Sequence, residues 1–142
     1  MGDINFYNSE RMKIMQWYNF LLENSEERDV LTFDVKIQTS IFTVSAKYKT
    51  YLKDLLALKN NVNLLYQQRL NKVVYYSFDE KFRIELEWER LGHIKQTFVV
   101  IEEQTDSHLE VGCLCDQTFL PELEANIDDT LIELNNLEES YE

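Results

Sequence analysis

Carboxylates are the most abundant side chains in this sequence that could do chemistry. They occur as adjacent pairs at Glu102-Glu103, Asp128-Asp129 and Glu138-Glu139. Hydrolysis by paired carboxylates requires two of them to converge in a cleft, and adjacency along the chain does not show convergence. No segment has the aspartate spacing and central glycine of a calcium-binding loop. The carboxylates therefore predict neither a catalytic centre nor a metal site.

The two histidines and two cysteines give only weak evidence for a metal or nucleophilic site. His93 and His108 each stand at the start of a predicted strand, away from the ligand spacings that are typical of zinc sites. Cys113 and Cys115 lie two residues apart. On a strand they would share one face about 6.6 Å apart, at the outer limit for a disulfide. We expect two small buried apolar side chains, with a thiol or metal site as the alternative.

The charge of the chain is divided unevenly along its length. Residues 1–95 carry 14 Lys and Arg against 13 Asp and Glu, whereas residues 96–142, the acidic segment, carry 13 Asp and Glu and no Lys or Arg. Such a field accelerates encounter with a basic partner and repels nucleic acid and anionic membranes. A solvated surface that promotes solubility is the alternative. Charge therefore indicates a basic protein as the partner and names no chemistry.

The composition of the chain limits its possible architecture and its possible location in the cell. With 142 residues, 44% hydrophobic and 13% aromatic, the chain can form one domain over 1–142. Three glycines and one proline argue against a phosphate-binding loop or a flexible linker. No signal peptide is visible, and no apolar run approaches the ~18 residues needed to span a bilayer. We expect a cytoplasmic protein with no cofactor and no small-molecule substrate.

Alternating apolar and polar residues predict a series of β-strands. The strictest alternation runs over 81–89, which places the side chains of Phe82, Ile84, Leu86 and Trp88 on one face. The other predicted strands span 12–20, 30–38, 41–48, 73–76, 93–102 and 108–115. Short connections indicate a hairpin for the second and third of these and a meander after residue 72. The expected fold is α+β, with an antiparallel sheet of about five to seven strands.

A central helix is predicted over 50–59, where leucines fall at helical spacing. Residues 62–71 show no clear periodicity. The polar segments 1–10 and 138–142 are expected to be frayed at the two ends of the domain.

A second helix, the C-terminal amphipathic helix α2, is predicted over 119–137 to pack on the sheet. Asp116 or Thr118 can cap it, and Pro121 stands in the first turn, where its missing N–H is harmless. Its apolar stripe consists of Leu120, Leu123, Ile127, Leu131 and Leu134.

The opposite side of this helix carries the candidate site. If the stripe is buried, Glu122, Asp129 and Glu133 project away from it. Asp128 flanks them, and Ile132 also lies far from the stripe. An apolar side chain within a ring of carboxylates is typical of a small protein-binding patch. We predict that these five residues, the α2 patch, contact a basic protein, unless a loop or second layer covers Ile132.

Two stretches of the sequence resemble a known family. They are YLKDLL at residues 51–56 and DQTFL at residues 116–120, which opens the final helix. Together with the long hairpin, they look like the WapI-type immunity proteins, over roughly residues 30–137. Members of this family are small bacterial proteins that bind and neutralise the C-terminal domain of large secreted or wall-associated YD-repeat toxins, often a nuclease that cleaves tRNA. We treat DQTFL as a fold signature, without a role in binding.

The resemblance implies an immunity protein of contact-dependent growth inhibition that binds its toxin and is not an enzyme. Because a nuclease site is basic to hold phosphate, an acidic inhibitor would suit it. Two alternatives stay open. One is an acidic interaction or regulatory module whose partner is no toxin. The other is a small-ligand or metal-dependent enzyme that uses Glu102, Glu103, His108 and the cysteines.

Overall fold

The computed structural model describes residues 2–24 and 29–140. These residues form eight strands and two α-helices, with a 3₁₀ turn at Arg90–Gly92. The strands are β1 (Ile4–Tyr7), β2 (Lys13–Asn24), β3 (Asp29–Gln38), β4 (Thr43–Tyr51), β5 (Lys72–Tyr76), β6 (Phe82–Trp88), β7 (His93–Glu102) and β8 (Ser107–Asp116). The helices are α1 (Leu52–Tyr66) and α2 (Phe119–Ser140).

The strands make two antiparallel sheets of four strands each. Sheet A has the order β1-β2-β3-β4, and sheet B has the order β5-β6-β7-β8. The α+β class is confirmed, but the prediction of a single sheet of five to seven strands differs from this arrangement. Helix α1 lies between β4 and β5 in the chain, so that each sheet is an independent meander. Alternation identifies single strands and says nothing about which strands share a sheet.

The N-terminal segment is ordered, in contrast to the expectation that residues 1–10 are frayed. Strand β1 pairs antiparallel with β2, with Ile4 opposite Trp17 and Phe6 opposite Met15. The side chains of Ile4 and Phe6 are completely buried. Four residues with only two buried side chains are too short to give a recognisable alternation, and polar neighbours hide them further.

The two sheets share one hydrophobic core that is rich in aromatic rings. The ring of Trp17, on sheet A, lies 5.3 Å from Tyr75 and 5.6 Å from Phe82 of sheet B, centroid to centroid. Phe6 of β1 contacts Phe98 of β7 at 5.6 Å. Aromatic pairs contribute about 0.5–1.5 kcal/mol each beyond the area that they bury. These contacts therefore hold the sheets face to face.

Helix α1 is longer than predicted and resolves the ambiguous segment. It continues to Tyr66, after which Gln68 takes a positive φ of 60° and the chain turns into β5. The Leu65 carbonyl accepts a 2.7 Å hydrogen bond from the indole N–H of Trp88 on β6. Buried residues of α1 are Leu55, Leu58, Val62 and Leu65.

Helix α2 begins where the sequence predicted and continues to Ser140. The predicted fraying of 138–142 falls partly on this last turn, which is helical to Ser140, and partly on residues 141–142, which lie outside the described residues.

The β6–β7 turn contains a strained and exposed leucine. Leu91 has φ 61° and ψ 37°, and its side chain is 95% exposed. The left-handed region costs a leucine roughly 1–2 kcal/mol, whereas asparagine adopts it more readily. We expect Leu91→Asn to raise the free energy of unfolding by about 0.5–1 kcal/mol, measured by urea denaturation.

The control for this prediction is Ile41→Asn, at the tip of the β3–β4 hairpin. Ile41 is 86% exposed, and its φ is not positive. We expect its replacement to change stability by less than about 0.5 kcal/mol. Equal stabilisation in both variants would show that side-chain polarity, rather than backbone strain, causes the effect.

Candidate functional site

Helix α2 carries the whole α2 patch, and the neighbours of the helix determine which of its side chains can reach a partner. Its apolar stripe faces the core, with Leu120, Leu123, Ile127 and Leu134 at most 1% exposed. Leu131 is half-buried. With this stripe buried, one flank of the helix lies along β1 and the other along α1.

On the β1 flank, two carboxylates of the α2 patch bond to the N-terminal part of the chain. The guanidinium of Arg11 donates to both oxygens of Glu122, at 2.9 and 3.0 Å. Glu133 Oε2 accepts a 2.7 Å hydrogen bond from the backbone N–H of Gly2. The Thr130 hydroxyl donates to the Gly2 carbonyl at 3.3 Å. These contacts hold β1 against the helix.

On the α1 flank, Asp128 accepts a 2.8 Å hydrogen bond from Lys59 Nζ. One turn away, the Asn63 amide donates to both carboxylate oxygens of Glu124, at 3.0 and 3.2 Å. The two helices run antiparallel, and these two pairs join them one helical turn apart. Three of the four carboxylates of the α2 patch are thus already bonded within the chain.

The solvent-facing side of α2 presents the remaining two patch residues, Asp129 and Ile132. Asp129 is exposed and makes no ion pair with any described residue. The Ile132 side chain is 52% exposed, so that no loop or second layer of the described residues covers it. The two side chains are three residues apart and therefore adjacent on the helix surface. The structure thus shows an apolar residue beside one unpaired carboxylate, rather than a complete acidic ring.

The fold brings cations from the first 95 residues against the acidic segment. Among the described residues, three ion pairs join the two parts: Arg11–Glu122, Lys59–Asp128 and Lys81–Glu103. Cations from residues 1–95 therefore neutralise part of the negative charge of the acidic segment.

The β7–β8 hairpin carries several exposed carboxylates of the acidic segment. Glu102, Asp106 and Glu110 are all exposed, and none of them forms an ion pair with a described residue. The sequence pattern indicated Glu102 only as a candidate residue of the enzymatic alternative, and it gave no indication of Asp106 and Glu110. Alternation shows that a carboxylate leaves the core, and it does not show whether a neighbouring cation neutralises it.

The residues of the enzymatic alternative are not gathered into one cluster. Glu102, Glu103 and His108 lie at the turn end of the β7–β8 hairpin, whereas the cysteines lie further along β8. Among the described residues, no group of three or more His, Cys, Asp and Glu side chains could hold a metal ion. Neither described helix is long and apolar enough to cross a bilayer.

Both cysteines lie on the inner face of β8 as free thiols, without a disulfide bond. Cys115 is 1% exposed, and Cys113 is half-buried. Burial raises the pKa of Cys113 to about 11, and the hydrogen bond from Gln96 opposes this rise only in part. Burial, with the adjacent Cys113 and Asp116, raises the pKa of Cys115 to about 12. Such thiols are poor nucleophiles, in agreement with a packing role.

An open groove of about 590 Å³ lies near the start of α1. Its lining is Asp29, Tyr51, Leu52, Lys53, Leu56 and Leu131. Leu56 is 46% exposed there. Leu131 is the residue of α2 in this lining, and Ile132 is not part of it.

The DQTFL segment forms the junction between β8 and α2. The Asp116 carboxylate accepts a 2.9 Å hydrogen bond from the backbone N–H of Thr118. This bond lowers the pKa of Asp116. The backbone N–H of Gln117 donates to the Gly92 carbonyl at 3.0 Å, which fastens the β6–β7 turn to the start of the helix. The segment therefore has a structural role at this position.

No protein-family model matches the chain, and neither a curated protein nor a solved structure matches it at a significant level. The similarity to immunity proteins consequently depends on the short stretches 51–56 and 116–120.

We expect both thiols to react slowly in the folded protein. At pH 8, a thiol with a pKa of about 11, as for Cys113, is roughly one part in a thousand thiolate. Alkylation by iodoacetamide should be at least about tenfold slower in the native protein than in urea. Because the folded pKa is raised, stability should fall as pH rises from about 9 toward 11. Rapid modification of both thiols at pH 8 without urea would contradict their burial.

Proposed function

We propose that this chain is a non-catalytic inhibitor of the immunity-protein type. It would bind the basic C-terminal domain of a bacterial toxin in the cytoplasm and neutralise it stoichiometrically. The observation that carries the proposal is the exposed pair on α2, where Ile132 is 52% exposed beside the unpaired Asp129. An exposed apolar anchor bordered by carboxylates matches a protein-binding site with an apolar centre and a polar rim.

The bonded carboxylates of the α2 patch contribute in a different way. Glu122 and Asp128 each bond to a cation of the chain, and Glu133 bonds to a backbone N–H. A carboxylate accepts up to about four hydrogen bonds, so that these groups can still receive donors from a partner. Their intramolecular bonds hold them in fixed positions around Ile132. We therefore place Ile132 at the centre of the site and the four carboxylates, with Asp129 nearest to it, at its rim.

The identity of the partner is supported by charge and by resemblance. Basic proteins suit the acidic segment, whose exposed carboxylates lie on α2 and on the β7–β8 hairpin. A nuclease domain is basic where it holds phosphate, and carboxylates can occupy that surface in place of the nucleic acid. The assignment of the partner as a toxin, often a tRNA-cleaving nuclease, follows from the resemblance at 51–56 and 116–120.

The experiment measures binding of the C-terminal domain of the YD-repeat toxin encoded beside this chain, by calorimetry at low and high salt. We expect Asp129→Lys to weaken binding about tenfold at low salt and to reduce its salt dependence. Ile132→Ser should weaken binding by a similar factor at both salt concentrations, because it removes apolar contact only. Asp128→Lys is less informative, since it also breaks the ion pair with Lys59.

The matched control is Glu89→Lys, which makes the same change of charge just after β6, where Glu89 is exposed and forms no ion pair with a described residue. This variant should bind almost as tightly as the unmodified chain. Equal weakening by Glu89→Lys and Asp129→Lys would show that net charge alone drives association. A gene neighbourhood without such a toxin, or no binding of its domain, would favour the regulatory module with a non-toxin partner.

A further inference from the structure

Strand β8 is the outer strand of sheet B, and most of its outward edge has no hydrogen-bond partner among the described residues. The backbone N–H of Ser9 donates to the Leu114 carbonyl from outside the sheet, at 2.7 Å. The backbone of Leu114 therefore points away from β7. Because this direction alternates along a strand, the N–H and C=O groups of His108, Glu110 and Gly112 also point outward.

The edge strand β1 of sheet A is covered. Helix α2 lies along it, and the side chains of Asn126 and Glu133 accept hydrogen bonds from the backbone N–H groups of Asn5 and Gly2, at 3.4 and 2.7 Å. The outer strand of sheet B at the other end, β5, contacts α1 and begins with the exposed Lys72. A helix therefore lies against each of these two edge strands.

The fourth edge, that of β4, carries lysines. Lys47 and Lys49 are exposed there, and the Lys49 carbonyl already accepts the backbone N–H of Phe78 at 2.8 Å. Edge lysines are a common device against unwanted strand pairing, because pairing would desolvate them. Between His108 and Gly112, β8 has no lysine, no proline and no break in its register with β7. This stretch of β8 therefore lacks the protective lysine that the β4 and β5 edges carry.

The side chains along β8 indicate what would pair with it. On the inner face, Leu109 is half-buried and Val111 is 7% exposed, so that an added strand would place apolar side chains beside them. On the outer face, Glu110 is exposed, and Asp106 adds negative charge at the turn. A strand that pairs with β8 should therefore carry cationic side chains on its outer face, beside these carboxylates.

A hollow on the outer face of sheet B leaves room for long cationic side chains. It has a volume of about 460 Å³. Its lining is Lys72, Glu85, Glu87, Lys95, Thr97, Glu110 and Gly112. Gly112 contributes no side chain at the edge of the hollow. Glu85 is already paired with Lys72, at 3.2 Å. A lysine or arginine from a neighbouring strand could therefore pass over Gly112 toward Glu87 or pair with Glu110 at the edge.

We propose that the open edge of β8 binds an extended segment of a partner protein in which apolar and basic residues alternate, as a fifth strand of sheet B. A second copy of this chain is the less favourable occupant, since pairing two β8 edges would bring Glu110 and both acidic hairpins together in a protein of net charge −12. The inference goes beyond the α2 site and does not require the partner to be a toxin.

The test uses one position with two substitutions. Gly112→Pro removes only an outward N–H and leaves the β7–β8 hydrogen bonds in place. Gly112→Ala keeps that N–H, and its added Cβ would have its nearest neighbour at 3.9 Å, the Gln96 carbonyl oxygen. Ser45→Pro removes an outward N–H from the β4 edge in the same way. Circular dichroism and urea denaturation show that each variant is folded before binding is measured.

The probe is a synthetic, end-capped peptide of sequence Thr-Lys-Val-Lys-Val-Lys-Thr, with a second peptide that has Glu in place of each Lys. Backbone amide NMR spectra are recorded during titration of the full chain. We expect shifts concentrated at His108, Glu110 and Gly112 for the lysine peptide and none for the glutamate peptide. Gly112→Pro should weaken binding about tenfold, whereas Gly112→Ala and Ser45→Pro should change it less than about twofold.

Shifts at β4 or α2 in place of β8, absence of lysine-peptide binding, or equal weakening by Gly112→Pro and Gly112→Ala would each overturn the proposal. Sedimentation equilibrium tests the second copy as occupant. Self-association that Gly112→Pro abolishes would assign the edge to a homodimer and overturn the proposal as well. Because the peptides replace the toxin, a negative result here leaves the proposed function untouched, and failure of toxin binding leaves the edge in place.

Discussion

Burial of the apolar stripe of α2 is the constraint on which the rest of the structure depends. Complete burial of a leucine or isoleucine side chain is worth about 1.5–3 kcal/mol, and Leu120, Leu123, Ile127 and Leu134 all reach it. With these side chains inward, the rotation of the helix about its axis is determined. Its flanks then meet β1 and α1, and the side chains opposite the stripe remain in solvent. Packing therefore decides which acidic groups find partners inside the molecule.

The electrostatic consequence is a redistribution of charge between sequence and structure. In the sequence, every lysine and arginine precedes position 96. In the structure, three of those cations lie against carboxylates of the acidic segment. The pairs are partly exposed, so that each contributes little to stability. The exposed carboxylates of the acidic segment that form no ion pair with a described residue include Asp129 on α2 and Glu102, Asp106 and Glu110 on the β7–β8 hairpin.

Sequence reasoning succeeded where a single periodicity determines a single element. The strict alternation of 81–89 predicted β6, and the leucine spacing after Pro121 predicted the orientation of α2. It failed for properties that depend on neighbours distant in the chain. Nothing local to Glu122 indicates that Arg11 will bond to it, and nothing within β8 shows that its far side is open. The number of sheets and the partners of each carboxylate required the packed structure.

The contact between β1 and α2 has a consequence for the order in which the chain can fold. The Gly2–Glu133 hydrogen bond spans a sequence separation of 131 residues. During synthesis, sheet B and the β2–β3–β4 meander can form as their strands leave the ribosome, but β1 must wait for α2 before both of its sides are covered. Until then, β1 is held by its pairing with β2 and by the packing of Phe6 on Phe98, while its outward edge is uncovered. A chain that ends before residue 119 therefore lacks the side chains of Asn126 and Glu133 that accept hydrogen bonds from this edge.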